Sequence, residues 1–360
     1  MAKLSNILTA RSSQGPSDNF KNIIINGDMQ IAQRNTSVSS VTSGGYLTAD
    51  RWNEGITTQG TWTISVENDA PTGSGFRKSL KWLCTTADAS PAAGDNLQFF
   101  TTLEGQNLQQ IKKGTAAAEQ LTLSFWVKSN VTGTYVAELY DADNNRQTSK
   151  QYTISASGTW EYKTITFAAD TTGAFDNDNA LSLYVVFGLG AGSNFTSGTL
   201  QTSWATATTA NRFVGQTNLA SAISNYWQIT GVQLEVGATA TPFDFLPAQQ
   251  ELAQCQRYYY RMPAGESYQQ FGVSYTNSTS NFQAFTITPV TMRAVPTSID
   301  TGGTLSHLQF SNGVDYTLSS IAIGSGQLGT NVIRFSGSVS GATSGNPGWI
   351  RANNSTSAFI

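Results

Sequence analysis

Reactive and ionisable side chains are what this chain has least of. Among 360 residues there are one histidine and two cysteines, and charged side chains make up only 12%. The single histidine, His307, is all that a Ser-His-Asp or Cys-His arrangement could use. It sits in a strand-like run from Leu305 to Phe310, where a structural or surface role is the expectation. So few His and Cys residues also exclude, in practice, zinc sites built on them. Cys84 and Cys255 make no disulfide framework and are expected as buried free thiols. With 20 Lys plus Arg against 23 Asp plus Glu, the net charge is −3 and no basic stripe exists to neutralise phosphates, so nucleic-acid binding has little support. The densest cationic cluster, Lys112-Lys113, reads as a solvated turn. No run is long and apolar enough to cross a bilayer. The opening MAKLSNILTARSS lacks the apolar core of a signal peptide, so synthesis in a cytoplasm is expected.

What the chain does have is aromatic and glycine content: 11% Phe, Trp and Tyr with 33 glycines. Together with abundant Thr and Ser, this suits short strands broken by Gly and Asn turns rather than long exposed helices. A surface poor in charge and rich in Ser, Thr, Asn and Gln fits neutral polar ligands such as sugars, or packing against copies of itself. A chain of this length is expected to split into two cores.

The pattern along the chain divides accordingly. Residues 1–22 are polar and aperiodic, an N-terminal arm. Ile23-Ile24-Ile25 opens a short apolar run stopped by Asn26-Gly27-Asp28, after which Met29, Ile31 and Gln33 read as strand alternation. Period-two alternation recurs at 61–66, 121–127, 135–140, 151–154, 160–167, 181–187 and 228–236. About eight strands without intervening helices predict an antiparallel jelly-roll sandwich over 23–246. Ala248 to Tyr260 has helical spacing at Leu252, Cys255 and Tyr259 and predicts a short linking helix within 247–265. Strands resume over 266–360 as a second, smaller β-sandwich domain. The expected fold is therefore all-β.

Candidate chemistry is thin. Carboxylate pairs that could cleave glycosides are Asp141 with Asp143, Asp176 with Asp178, and Asp50 with Glu54, but each reads more simply as turn chemistry. The chain is expected not to be an enzyme. Asp141-x-Asp143-x-Asn145 begins like a calcium loop, yet Arg146 stands at its sixth position and Tyr152 at its twelfth, so it is not an EF-hand. No cofactor is expected. Asp176 and Asp178 are the candidates for a structural calcium, against a plain solvated loop. Exposed aromatics are how a sandwich binds sugar, because a pyranose face stacks on a ring while amides and carboxylates take the hydroxyls. The aromatic candidates are Trp52, Trp62, Trp82, Trp126, Trp160, Trp204, Trp227 and Tyr184, with core packing as the competing reading for each. Trp126 falls out of phase with Phe125 and Val127 and so faces away from them. Trp204, in a Thr-Ser-Trp-Ala-Thr loop, is the one most expected to be exposed. Trp204, Trp126 and Tyr184 are the chosen ligand-binding candidates.

Three segments carry a resemblance. Asn22-Ile-Ile-Ile-Asn-Gly-Asp-Met-Gln-Ile-Ala-Gln-Arg34 followed by Leu47-Thr-Ala-Asp-Arg-Trp52 resembles the opening of phage tail-fibre and related virion proteins with a carbohydrate-binding-like jelly roll. Leu121 to Ser129 through Gly158 to Phe167 is similar to the general carbohydrate-binding sandwich. Trp227 to Phe243, running into Gln249 to Tyr260, resembles the joint to a C-terminal domain, and Thr288 to Thr297 resembles that domain's start. The resemblance implies a virion structural protein, homotrimeric, on the tail or particle surface and made in the host cytoplasm. It would bind other virion proteins through the 1–22 arm, with Leu4, Ile7 and Leu8 as attachment candidates, and meet a host glycan or protein receptor without membrane insertion. It carries over no sugar-binding residues. A purely architectural capsid-decorating or tail-adaptor protein and a polysaccharide depolymerase stand as alternatives.

Overall fold

The structure is a computed structural model that describes residues 21–262, 268–299, 308–324 and 329–353. Leu4, Ile7, Leu8 and His307 lie outside the described residues. The chain forms two compact units that divide between Leu246 and Pro247.

In the first unit, two six-stranded antiparallel sheets face each other. One runs β1 (Ser37–Val41), β3 (Thr61–Glu67), β4 (Ser79–Thr86), β12 (Tyr226–Val236), β6 (Leu121–Ser129), β9 (Glu161–Phe167). The other runs β11 (Ala205–Thr206), β8 (Arg146–Ile154), β7 (Gly133–Asp141), β10 (Leu181–Ala191), β5 (Asn96–Glu104), β2 (Trp52–Thr57). This is the all-β sandwich expected from the alternation. Five strands, β1, β2, β4, β5 and β11, are additional to those read from the sequence.

The layer between the sheets is aromatic. Trp52 stacks on Phe99 at 4.6 Å, Trp82 and Trp227 meet Phe99 edge-on at 6.3 and 5.9 Å, and Phe125 meets Phe187 at 5.0 Å. Trp52, Trp62, Trp82 and Trp227 are fully buried, so four of the tryptophans considered as ligand platforms are core. Each such ring removes some 150–250 Å² from water, the dominant stabilising term in the unit.

The segment 22–34 is not the continuing strand that Met29, Ile31 and Gln33 suggested. It folds as turns, with Asn26 and Met29 at φ 58° and 59°. Its polar residues form a knot. Asn22 accepts from the Leu234 amide and donates to the Val232 carbonyl, at 3.1 and 3.0 Å. The Asn26 side chain donates to the carbonyls of Ile31 and Asp50 and accepts from the Ile31 amide, all within 2.9 Å. Trp52 Nε1 donates to the Asn26 carbonyl at 2.9 Å. A Cβ at Gly27 would lie 2.0 Å from the Val232 carbonyl oxygen, so only glycine admits this approach. The residues that carry the family resemblance are thus a clasp that ties the 22–34 segment to β12 and to the start of β2.

In the second unit, helix Ala248–Gln256 ends earlier than Tyr260, and the Tyr258 amide closes a tighter turn on the Cys255 carbonyl just past its end. Seven strands then form one antiparallel sheet: β16 (Asp315–Thr317), β15 (Leu308–Ser311), β19 (Pro347–Ala352), β13 (Gln270–Thr276), β14 (Asn281–Ile287), β18 (Val332–Ser338), β17 (Ser320–Ile323). Phe282 and Phe310 stack at 6.2 Å although β14 and β15 are three places apart in the sheet, so the sheet curls over its own core. Cys84 and Cys255 are both buried free thiols, one in each unit.

Asp50 lies in the turn before β2, as its sequence suggested, whereas Glu54 is a residue of β2 itself. Both are buried at the clasp, where Asp50 accepts from the amide and side chain of Gln33 and Glu54 from the Leu47 amide and Thr48 hydroxyl. Burial pushes the Glu54 carboxyl up to about 8. Its folded value thus exceeds its unfolded value of 4.5, so its contribution is complete below 4.5 and lost as pH rises toward 8. Urea titrations should show the wild type losing stability across that window by up to about 1.4 kcal/mol per pH unit more than Glu54→Gln does. Parallel pH profiles for the two proteins would overturn the assignment.

Candidate functional site

The candidate site lies on the outer face of the sheet that holds β5, β7, β8 and β10. Phe99, Phe187 and Leu139 point inward, so by period-two geometry Gln98, Phe100, Tyr184, Val186, Glu138 and Tyr140 point outward. Across the strands they align in rows. Tyr184 sits beside Tyr140, which sits beside Gln147, and Phe100 sits beside Val186, which sits beside Glu138.

Residues 192–218 fold over one half of this face. Phe213 is buried against Val136 and Val186. A Cβ at Gly188 would come within 2.2 Å of Gln216 and 2.8 Å of Phe213, so a bare backbone is needed where the segment crosses the sheet. The segment is fixed by charge. Arg212 donates through Nε to both carboxylate oxygens of the fully buried Glu138 at 3.0 Å, and through Nη2 at 2.5 Å. Burial disfavours the Arg212 charge, but Glu138 overrides it and holds the guanidinium above its ordinary value.

The uncovered half is a cleft of about 550 Å³. Phe100, Tyr140 and Tyr184 supply its rings, Gln98, Asn145 and Gln147 its amides, and Arg212 its one charged side chain. Tyr184 lies 5.5 Å from Phe100 and 5.7 Å from Tyr140, ring to ring. Burial, then the nearby phenols of Tyr46 and Tyr140, push the Tyr184 hydroxyl above its ordinary value, so it stays a neutral donor and acceptor at physiological pH. Gln147 is fully buried, and its Oε1 has no partner among the described residues. An aromatic floor rimmed by amides can stack a flat apolar ligand face and hydrogen-bond its edges.

Of the three residues singled out as ligand-binding, only Tyr184 is in this cleft. Trp126 faces outward on the opposite sheet, as its phase required, and packs on Tyr162 at 5.2 Å. Trp204 is half-buried rather than exposed. Its Nε1 donates to the Ala168 carbonyl at 2.9 Å, and its ring covers the Lys113 ammonium at 5.3 Å. Lys113 itself is buried, which corrects the solvated-turn reading of Lys112-Lys113 for the second residue. The ammonium sits in a cage of four oxygens: Asp141 at 2.6 Å, Asp170 at 3.1 Å, and the carbonyls of Thr172 and Gly173 at 2.9 and 2.7 Å. Asp170 also takes two bonds from Arg146. Burial works to raise the Asp170 carboxyl, but Arg146 and Lys113 hold it below the usual range.

Asp176 and Asp178 are exposed and are not brought to a common point. The Asp176 amide donates to Asp143, and Asp178 accepts from the Ala180 amide at 2.8 Å. Among the described residues no group of three His, Cys, Asp or Glu could hold a metal ion. The cleft residues that the sequence reading missed are Gln98, Phe100, Tyr140, Gln147 and Arg212. Tyr140 lies at the end of an alternating run, whereas nothing in the sequence marks Phe100 or Arg212.

No family model and no curated protein matches this chain. Solved structures do. The enzymatically active domain of tailspike protein 4 from bacteriophage CBA120 is 15% identical at a TM-score of 0.33, the match covering 60% of this chain and 21% of that one. A family 11 carbohydrate-binding module from Clostridium thermocellum, in complex with a β-1,3-1,4-mixed-linked tetrasaccharide, is 10% identical at 0.30, covering 53% and 91%. TmCBM61, in complex with β-1,4-galactotriose, is 9% identical at 0.30, covering 60% and 98%. No residue role is carried across from them.

The cage predicts an asymmetry between the adjacent lysines. Lys113→Met leaves buried carboxylates without their cation and should cost about 3–5 kcal/mol in urea denaturation. Lys112→Met removes only an exposed pair with Glu119 and should cost no more than about 1 kcal/mol. Equal, small losses would show that the cage is not structural.

Proposed function

We propose that this chain is a noncatalytic, glycan-binding structural protein of a phage virion, acting in attachment to the host surface. The observation that carries the glycan half is the cleft on the outer face of the β5–β10 sheet, where three aromatic rings and three amides converge. Sugars present an apolar face and a polar edge, and this lining complements both. The noncatalytic half is supported by the fate of the acidic pairs. Asp141 is held by Lys113, Asp50 and Glu54 are buried in the clasp, and the exposed Asp176 and Asp178 are separately tied into turns. No cofactor is invoked, because the Lys113 ammonium supplies an internal cation to the loops.

The virion half rests on the resemblance carried by 22–34, 47–52 and 227–260. Under it the 1–22 arm joins other virion proteins, and copies of the chain assemble as a homotrimer. The second unit offers a surface suited to assembly. Val273 and Ile287 are 70% and 76% exposed on one sheet face, beside the exposed Val332 and half-buried Phe285. That face also favours the architectural alternative, a decorating or adaptor protein that packs on its own kind without touching the host.

Binding of the purified full chain to host cells, and its retention in gels cast with soluble polysaccharides, tests the proposal. Tyr184→Ala should weaken retention about tenfold or more, close to 1.4 kcal/mol, while Trp126→Ala leaves it unchanged. Stoichiometric binding to phage particles with no binding to host surface or polysaccharide would leave the architectural reading standing instead.

A further inference from the structure

We infer that the cleft is selective for uncharged glycans, and that Glu138 is the residue that sets this selectivity. The inference rests on the glycan reading of the cleft and adds its substrate class.

Arg212 is the one charged side chain in the lining, and a lone guanidinium in an aromatic cleft would recruit carboxylate or sulfate. Here its charge is already matched. Glu138 lies on β7 directly under the segment that carries Arg212, has no solvent exposure, and takes the Nε–H and one Nη2–H of the fork. Two opposite charges this close cancel at the distance of a ligand. An anionic sugar would have to be stripped of water without gaining a net attraction in return. Nη1 bonds no described residue, so Arg212 remains a hydrogen-bond donor whose net charge has been neutralised.

The acceptors in the cleft point the same way. Gln147 is fully buried, donates through Nε2 to the Thr208 carbonyl at 3.4 Å, and leaves Oε1 without a partner. An unpaired buried carbonyl is costly unless a donor arrives from outside. Gln98 Oε1 has only a 3.4 Å contact from Arg212. Sugar hydroxyls supply donors to both. Uronates and sulfates bring further acceptors, which these carbonyls oppose.

Affinity electrophoresis and calorimetry on the full chain decide the matter, with β-glucan, galactan and xylan as neutral probes and polygalacturonate and a sulfated galactan as anionic ones. The wild type should prefer neutral chains by about tenfold or more, with less than about twofold change between low and high salt. Glu138→Gln unmasks Arg212, so anionic probes should gain about tenfold and become salt-sensitive. Should that variant fail to fold, the double variant Glu138→Gln/Arg212→Gln keeps an amide pair and should retain the neutral preference. Salt-sensitive preference of the wild type for an anionic probe overturns the inference. Tyr184→Ala separates the two levels. If it abolishes binding while the wild type prefers anionic chains, only the selectivity fails. If it changes nothing, or no probe binds, the cleft reading fails as well.

Discussion

The jelly roll hangs on the seating of Trp52. Its ring stacks on Phe99, and its indole nitrogen is bonded to the Asn26 carbonyl, so one side chain joins the inter-sheet core to the clasp made by residues 22–34. The consequence reaches the outer face. With Phe99 fixed inward, Gln98 and Phe100 must point outward, because side chains alternate along a strand and a one-residue slip would exchange the faces. The rings of the core therefore fix where the cleft rings stand. Phe187 does the same for Val186 on β10, and Leu183 and Val185 bracket Tyr184 from the inside.

Buried charge is used sparingly and each time at a seam. Glu138 and Arg212 fasten the 192–218 segment to the sheet, and the Lys113 cage fastens the 170–175 loop to the end of β7. Apolar replacements of similar volume could be as stable, since desolvation offsets much of the Coulombic gain. What the charged pairs add is a defined position: a carboxylate accepting two bonds from one guanidinium admits little sliding. A cleft wall made of loop needs that definition more than a strand does, since a strand already has its ladder.

How much was legible follows from the same geometry. β9, with one buried face, and β6, whose apolar and polar residues alternate although most of both are buried, declared themselves by alternation. β5 did not, because Asn96-Leu-Gln-Phe-Phe-Thr-Thr-Leu-Glu104 places apolar rings on both faces: Phe99 in the core and Phe100 on the cleft floor. The site blurred the very pattern that would have revealed its strand. Tyr184 was recognisable because the phases of its neighbours were clear. Arg212, Gln147 and Lys113 were not, since their roles depend on partners 28 to 74 positions away. Lys112 and Lys113 are identical in type and adjacent in sequence, and only tertiary contact makes one a surface residue and the other an enclosed cation. The opening motif shows the converse. Asn26 and Gly27 were read as turn residues, and they are turn residues, but the turn also reaches β12.

A neutral cleft has a consequence for how such a protein could hold a surface. With a net charge of −3 and its one cleft cation neutralised, the chain gains little from long-range steering, so encounter proceeds at ordinary diffusional rates. A shallow aromatic floor with a few amides gives modest affinity per site. Under the proposed virion role, firm attachment would come from number: copies on one particle would raise the effective concentration of each successive contact, so that avidity replaces affinity. That arrangement suits a reversible search, because single contacts release quickly while the ensemble does not. If copies assemble as proposed, the exposed apolar side chains of the second unit, Val273 and Ile287, are where such contacts would form.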